Sequence, residues 1–265
     1  MVVPVLIQRV AVRVNRRLPN GWRDAVAQLL LFVLADFLYE CVRGLVTGHT
    51  GLALFHAEQI VSLERSTHTF VEPAMQGWLL PSHAAIQAAN WAYANIHFTL
   101  NIVFLGWLYV YRHHAYAFVR NCYFVAMGIA LAVHLAVPVA PPRLLPAYGF
   151  VDTIKQIAHV DQDSGAIGFM VNPYAAVPSM HVCFAVIASV TGVMICRRLW
   201  ARALWAIYPF FVTFVVVVTA NHFVFDAVAG VATALVAAVV AQWVMARARP
   251  HAWAWRAQGA EVARI

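Results

Sequence analysis

Three short stretches carry residues whose types and spacing suit the handling of a phosphoryl group. NHFVFD, residues 221–226, places His222 and Asp226 four apart, so on a helix both project from one face about a turn apart. A carboxylate bonded to one imidazole nitrogen fixes the tautomer and leaves the other nitrogen as a directed nucleophile. Alone, this spacing is more often a structural helix-start pair. VPSMH, residues 177–181, ends a loop at Pro178, offers Ser179 as an N-cap and puts His181 in the first helical turn. The N–H groups and dipole of a helix start suit an anion, and His181 could protonate a leaving alkoxide as general acid. PSMH by itself is equally an ordinary capped helix start. PPRLLP, residues 141–146, holds Arg143, whose planar fork matches the equatorial oxygens of a phosphoryl group in transfer. A lone loop arginine reads first as one that snorkels at an interface. What carries the chemistry is the joint occurrence of the three, in the order Arg, Ser-x-His, His-x-x-x-Asp.

The elements that must position these residues are restricted by composition. Of 265 residues, 63% are hydrophobic and 11% charged, against about 25% charged in a soluble domain. Long, nearly charge-free stretches without strict alternation indicate an all-α, polytopic integral membrane protein. The expected fold is a six-transmembrane-helix bundle with spans near 25–46, 89–111, 122–140, 174–196, 203–220 and 223–246. The polar stretch 47–88 is expected to hold interfacial helices in an outer loop, and 141–173 is a second long loop. Residues 1–24 read as a basic N-terminal segment, 25–246 as one catalytic membrane domain with its motifs in 141–226, and 247–265 as a basic tail.

The formal charge is +7 and all basic residues but Lys155 are arginine. Arg9, Arg13, Arg16, Arg17 and Arg23 precede span one. Arg112 and Arg120 are expected between spans two and three, Arg197, Arg198 and Arg202 between four and five, and Arg247, Arg249, Arg256 and Arg264 after six. This bias places both termini in the cytoplasm and the three motifs outward; the expected location is a bacterial plasma membrane. Cys41, Cys122, Cys183 and Cys196 show no paired or metal-ligand spacing and read as small packing residues.

The motif order resembles the type 2 phosphatidic acid phosphatase superfamily, whose motifs run Lys-x6-Arg-Pro, Pro-Ser-Gly-His and Ser-Arg-x5-His-x3-Asp. The chain departs from that pattern at Ala136, Leu144, Met180, Val215 and Val216. RLLP, NPYAAVPSMH and NHFVFDAVAG are more similar to the branch of fungal inositol phosphorylceramide synthase and its bacterial relatives. The resemblance covers 120–246 well and the first 110 residues by topology only. It implies a phosphohistidine mechanism: His222 attacks phosphorus, Asp226 orients it, and His181 protonates the leaving group. Arg143 and Ser179 would hold the phosphoryl oxygens. It implies no cofactor and no metal. Implied partners are a lipid phosphoester substrate, a polyol such as inositol as acceptor, and membrane lipids, with no nucleic acid. Loss of two expected cations is compatible with a phosphodiester monoanion and head-group transfer. Hydrolysis of a lipid phosphate or polyprenyl (pyro)phosphate is the alternative, and a non-catalytic transporter or scaffold the rival outside enzymes.

Other polar residues read as structural. Asp36, Glu40 and Arg43 form a charged stripe on span one, expected as a network within the bundle. His97 and His134 are expected as bundle histidines without acidic partners, and His113 and His114 lie in a loop away from the motifs. None of the twelve histidines shows H-x-x-x-H or H-E-x-x-H spacing, which speaks against zinc. Lys155 is a loop cation that could replace a lost one.

Overall fold

The computed structural model describes residues 18–44, 50–156, 174–245 and 247, with the side chains of residues 42–44 outside that description. The basic segment up to residue 17, the loop 157–173 and the tail after 247 lie outside the described residues, as does the side chain of Arg43. Among the described residues, eight helices of eight residues or more carry the architecture: α1 Gly21–Gly44, α2 Thr50–Ser66, α3 Glu72–Leu79, α4 His83–Tyr111, α5 His113–Ala136, α6 Met180–Ile195, α7 Leu199–Val218 and α8 Val224–Val240. No strand occurs among the described residues; the nearest to one is an isolated parallel bridge between Val139 and Ala175.

The chain is an integral membrane protein. α5, α7 and the run Val224–Met245 are each long and apolar enough to cross a bilayer. α6 is apolar but shorter, because Pro178 stops it at Met180, six residues later than the expected span start. A different shift occurs before α5. The segment HHAYAFVRN contains no glycine or proline, so the helix starts at His113 rather than near 122, and Arg120 is helical rather than in the loop. Its charge is satisfied inside the bundle: Nη1 donates to Gln28 Oε1 at 2.6 Å and Nε and Nη2 to Asn121 Oδ1 at 3.2 and 2.9 Å.

α6 packs centrally, against α4, α5, α7 and α8. Ser189 Oγ donates to the Trp205 carbonyl at 2.7 Å, and a Cβ at Gly192 would lie 2.4 Å from the Trp205 ring, so α6 and α7 approach closely there. Residues 47–88 contain the short helices α2 and α3. The buried face of α2 turns to the motif-bearing loops: Ala53, Ala57, Ile60 and Val61 cluster with Val139, Ala140, Leu145, Ala176, Ala220 and Phe223. Backbone bonds lace the same layer together, from Val139 N–H to the Tyr174 carbonyl at 2.8 Å and from Ala140 N–H to the Ala53 carbonyl at 3.0 Å. One end of the bundle is thereby closed by a small polar-lined layer that holds all three motifs.

Candidate active site

The turn between α7 and α8 sets the position of His222. α7 ends with Ala220 at φ 53°, a left-handed conformation that glycine usually supplies. The chain then folds back, and the N–H groups of Asn221 and His222 both reach the Val216 carbonyl, at 3.0 and 3.2 Å. Asp226, in the first turn of α8, returns to this turn. Its Oδ2 accepts from Phe223 N–H at 2.9 Å and lies 3.2 Å from His222 Nδ1. One carboxylate oxygen therefore caps the helix and orients the histidine. Burial holds His222 well below the ordinary imidazole range, down to about 3, and the positive Arg143 adds to that, while the Ala176 carbonyl beside the ring pulls the other way. The ring is neutral, the form that can act as a nucleophile.

Arg143 is fixed to the same turn. It sits in a 3-10 turn, Pro142–Leu144, flanked by prolines that limit its backbone freedom. Its N–H donates to the Ala220 carbonyl at 2.8 Å. Its guanidinium donates from Nη1 to Asn221 Oδ1 at 2.8 Å and lies 3.6 Å from Asp152 Oδ2. Asn221 is itself held by Thr219, whose Oγ1 accepts from Asn221 Nδ2 at 2.9 Å.

His181 faces this group from α6. Its ring stacks on Tyr93 at 4.6 Å and meets His97 at 4.6 Å, both from α4, and its centroid is 5.8 Å from that of His222. Arg143, Asn221, His181 and His222 line one cavity of about 330 Å³. Pro178, Met180 and His181 form its wall on that side. Ser179 is fully buried behind them and its hydroxyl has no hydrogen-bond partner. The hydroxyl makes no cap bond to its own helix, contrary to the N-cap expectation. The tie is made by its backbone instead, as Ser179 N–H donates to the Asp226 carbonyl at 3.0 Å. Gly230 makes that approach possible, since a Cβ there would meet the Ser179 carbonyl oxygen at 2.5 Å.

Several residues read as structural prove to lie on the cavity wall. His97 and His134 both line it, as do Asp36 and Glu40 of α1. Glu64 of α2 and Glu72 of α3 had no expected role at the site. Glu72 Oε1 accepts from Val224 N–H and Glu64 Oε1 from Phe225 N–H, each at 2.8 Å. With Asp226 on Phe223, three carboxylates take the first free N–H groups of α8. Both glutamates are buried. Burial and the adjoining Glu72 carboxyl push Glu64 up to about 8, and Asp226 adds to this, against the pull of Phe225 N–H. In the sequence both are acids within the polar stretch 47–88, and nothing there pointed to a partner some 150 residues away. Lys155 lies in a helical turn after Asp152, whose Oδ1 accepts its N–H at 3.0 Å. It does not line the cavity. Among the described residues, no group of three or more His, Cys, Asp or Glu side chains is arranged to hold a metal ion.

A family model for the PAP2 superfamily matches residues 58–240. The chain belongs to that superfamily. Neither a curated protein nor a solved structure matches it. Membership in the PAP2 superfamily assigns phosphatase or phosphotransferase chemistry on phosphoesters, and the matched range takes in every cavity residue named above except Asp36 and Glu40.

Proposed function

We propose that the chain is a membrane phosphotransferase acting on lipid phosphoesters through a phosphohistidine at His222, with head-group transfer of the inositolphosphotransferase type. The observation that carries this reading is the placement of a neutral, Asp226-oriented His222 beside His181 and Arg143 in one cavity. With Nδ1 engaged by Asp226, the other ring nitrogen attacks phosphorus. The bond to the leaving alcohol breaks, and His181 gives that alkoxide its proton. An acceptor alcohol then attacks the phosphohistidine, His181 takes its proton, and the phosphorus–nitrogen bond breaks. Arg143 and the first-turn N–H groups of α6 stabilise the oxygens as charge develops, and Ser179 acts by tying α6 to Asp226.

Arg143 is the one lysine or arginine among the described residues that line the cavity, and Asp152 shares its charge. So lean a cation set suits a phosphodiester monoanion better than a phosphomonoester dianion. The acceptor is a polyol such as inositol or a second lipid alcohol. Arg112, Arg197 and Arg198 sit at the helix ends opposite the cavity, which supports cytoplasmic termini and an outward-facing site. The test is mass spectrometry of lipids after incubating purified protein with candidate phospholipids and alcohol acceptors in chelator. Exchanged head groups are expected. Products of water alone would turn the reading toward a phosphatase, and loss of activity in chelator would contradict metal-free transfer.

A further inference from the structure

α1 leans on α5 and leaves a groove against α4. The groove has a volume of about 430 Å³, within the range of ligand sites. Its walls are hydrocarbon: Leu29, Phe32 and Val33 from α1, and Ile102, Leu105 and Gly106 from α4. Asp36 and Phe98 line both this groove and the catalytic cavity, so the two meet at that level. Polar chemistry lies on one side of the junction and apolar surface on the other. Leu29, Val33 and Phe98 are exposed, so the groove is open along its side.

The far end is closed. Tyr109 donates to Asp24 Oδ2 at 2.6 Å across the two helices, and Arg120 bonds Gln28. From Ala25 to Asp36 the groove runs eleven residues, about 17 Å at 1.5 Å per residue. That is close to the depth of one leaflet, about half of a 30 Å hydrocarbon core. A polyisoprenoid much longer than a leaflet would have to leave it.

We propose that one acyl chain of the lipid substrate lies in the α1–α4 groove while its phosphoester occupies the catalytic cavity. This rests on reading the cavity as a lipid phosphoester site. The groove thus lets a lipid slide in from the bilayer with its chain still in an apolar medium, and chain burial there contributes to binding. Asp36 and Phe98 mark where head group gives way to chain.

Two measurements test the groove. In the first, full-length protein in phosphatidylcholine vesicles is irradiated with a phospholipid bearing a diazirine on one acyl chain, and labelled peptides are mapped. Labelling concentrated on residues 25–36 and 98–110, and diminished by Gly106→Phe, is expected; labelling spread over the exposed faces of α7 and α8 would overturn the proposal. In the second, kcat/KM is measured for long-chain and short-chain lipid phosphoesters. Gly106 lines the groove and a Cβ there meets no atom within 4 Å, so Gly106→Phe adds bulk at the groove wall. The long-chain value should fall by about tenfold or more, from lost methylene burial, with the short-chain value unchanged. Equal losses on both, or none on either, would contradict it. Groove labelling in a protein that turns over no lipid phosphoester would uphold the groove and sink the reading of the cavity. Turnover with evenly spread labelling would do the opposite.

Discussion

The backbone N–H of Ser179 donates to the carbonyl oxygen of Asp226 at 3.0 Å, joining the residue that opens α6 to the acid that orients His222. α6, which carries His181, and α8, whose Asp226 holds His222 in the preceding turn, are thus registered by main chain, and Gly230 is what lets them come so close.

Gly230→Ala should therefore be costly. Its Cβ would lie 2.5 Å from the Ser179 carbonyl oxygen, whereas a Cβ at Gly128, also inside a helix, meets nothing within 4 Å. We expect Gly230→Ala to lose about 1–3 kcal/mol of stability and to lower kcat by shifting His181 against His222. Gly128→Ala should be neutral or stabilising by about 0.5–1 kcal/mol. Thermal melting of both variants in the same detergent checks the contrast.

Asp226 has two tasks that substitution can separate. Asp226→Asn keeps an amide oxygen for the Phe223 N–H but removes the charge facing His222, so folding should be nearly retained while kcat falls. Asp226→Ala removes both and should also cost about 1–3 kcal/mol for the unsatisfied buried donor. His181→Gln should lower kcat by about 10²–10⁴-fold, the range for general acid–base catalysis, with less effect on a substrate whose leaving group needs no proton. Steady-state kinetics with alkyl and nitrophenyl esters distinguishes these outcomes.

Glu64 makes stability depend on pH. Its carboxyl is raised from 4.5 to about 8 in the fold, so between those values the native state holds a proton that the unfolded chain has released. Stability contributed by that proton is fully present below about pH 4.5, falls as pH rises and is gone above about 8. Glu64→Gln should flatten the decline of melting temperature over this window. Glu64→Ala, which leaves the Phe225 N–H without its acceptor, should destabilise at every pH.

Arg143 should tolerate no conservative exchange. Lysine offers a point charge without the fork that reaches Asn221 and the substrate together. Arg143→Lys is expected to reduce kcat/KM by at least about tenfold, and Asn221→Ala to do so less, by loosening the guanidinium. Parallel assays on phosphodiester and phosphomonoester substrates reveal whether the loss tracks the charge of the phosphate.

The candidate site residues were legible in the sequence because their spacing is local: Asp226 in the first turn of α8 reaches back to His222 in the turn before it, and PSMH announces a helix start. The helical, membrane-embedded class followed from apolar length alone. What could not be read was what crosses the chain. Glu64 and Glu72 cap α8 from more than 150 positions away, and His97 reaches His181 only because α4 packs beside α6. Arg120 looked like a loop residue because charge argued against a helix interior; Gln28, from another helix, supplies the bond that makes it acceptable. Asp36 and Glu40 read as part of a network within the bundle, and only the packing of α1 showed that they also line the cavity.

The most direct test is to look for the covalent intermediate. Protein mixed with lipid phosphoester in the absence of acceptor is quenched in alkali, where a phosphorus–nitrogen bond survives, and its peptides are mapped by mass spectrometry. The account predicts a phosphoryl or head-group-phosphoryl adduct on His222, lost in His222→Ala and discharged by added acceptor. An adduct on a different residue, or undiminished turnover by His222→Ala, would contradict it.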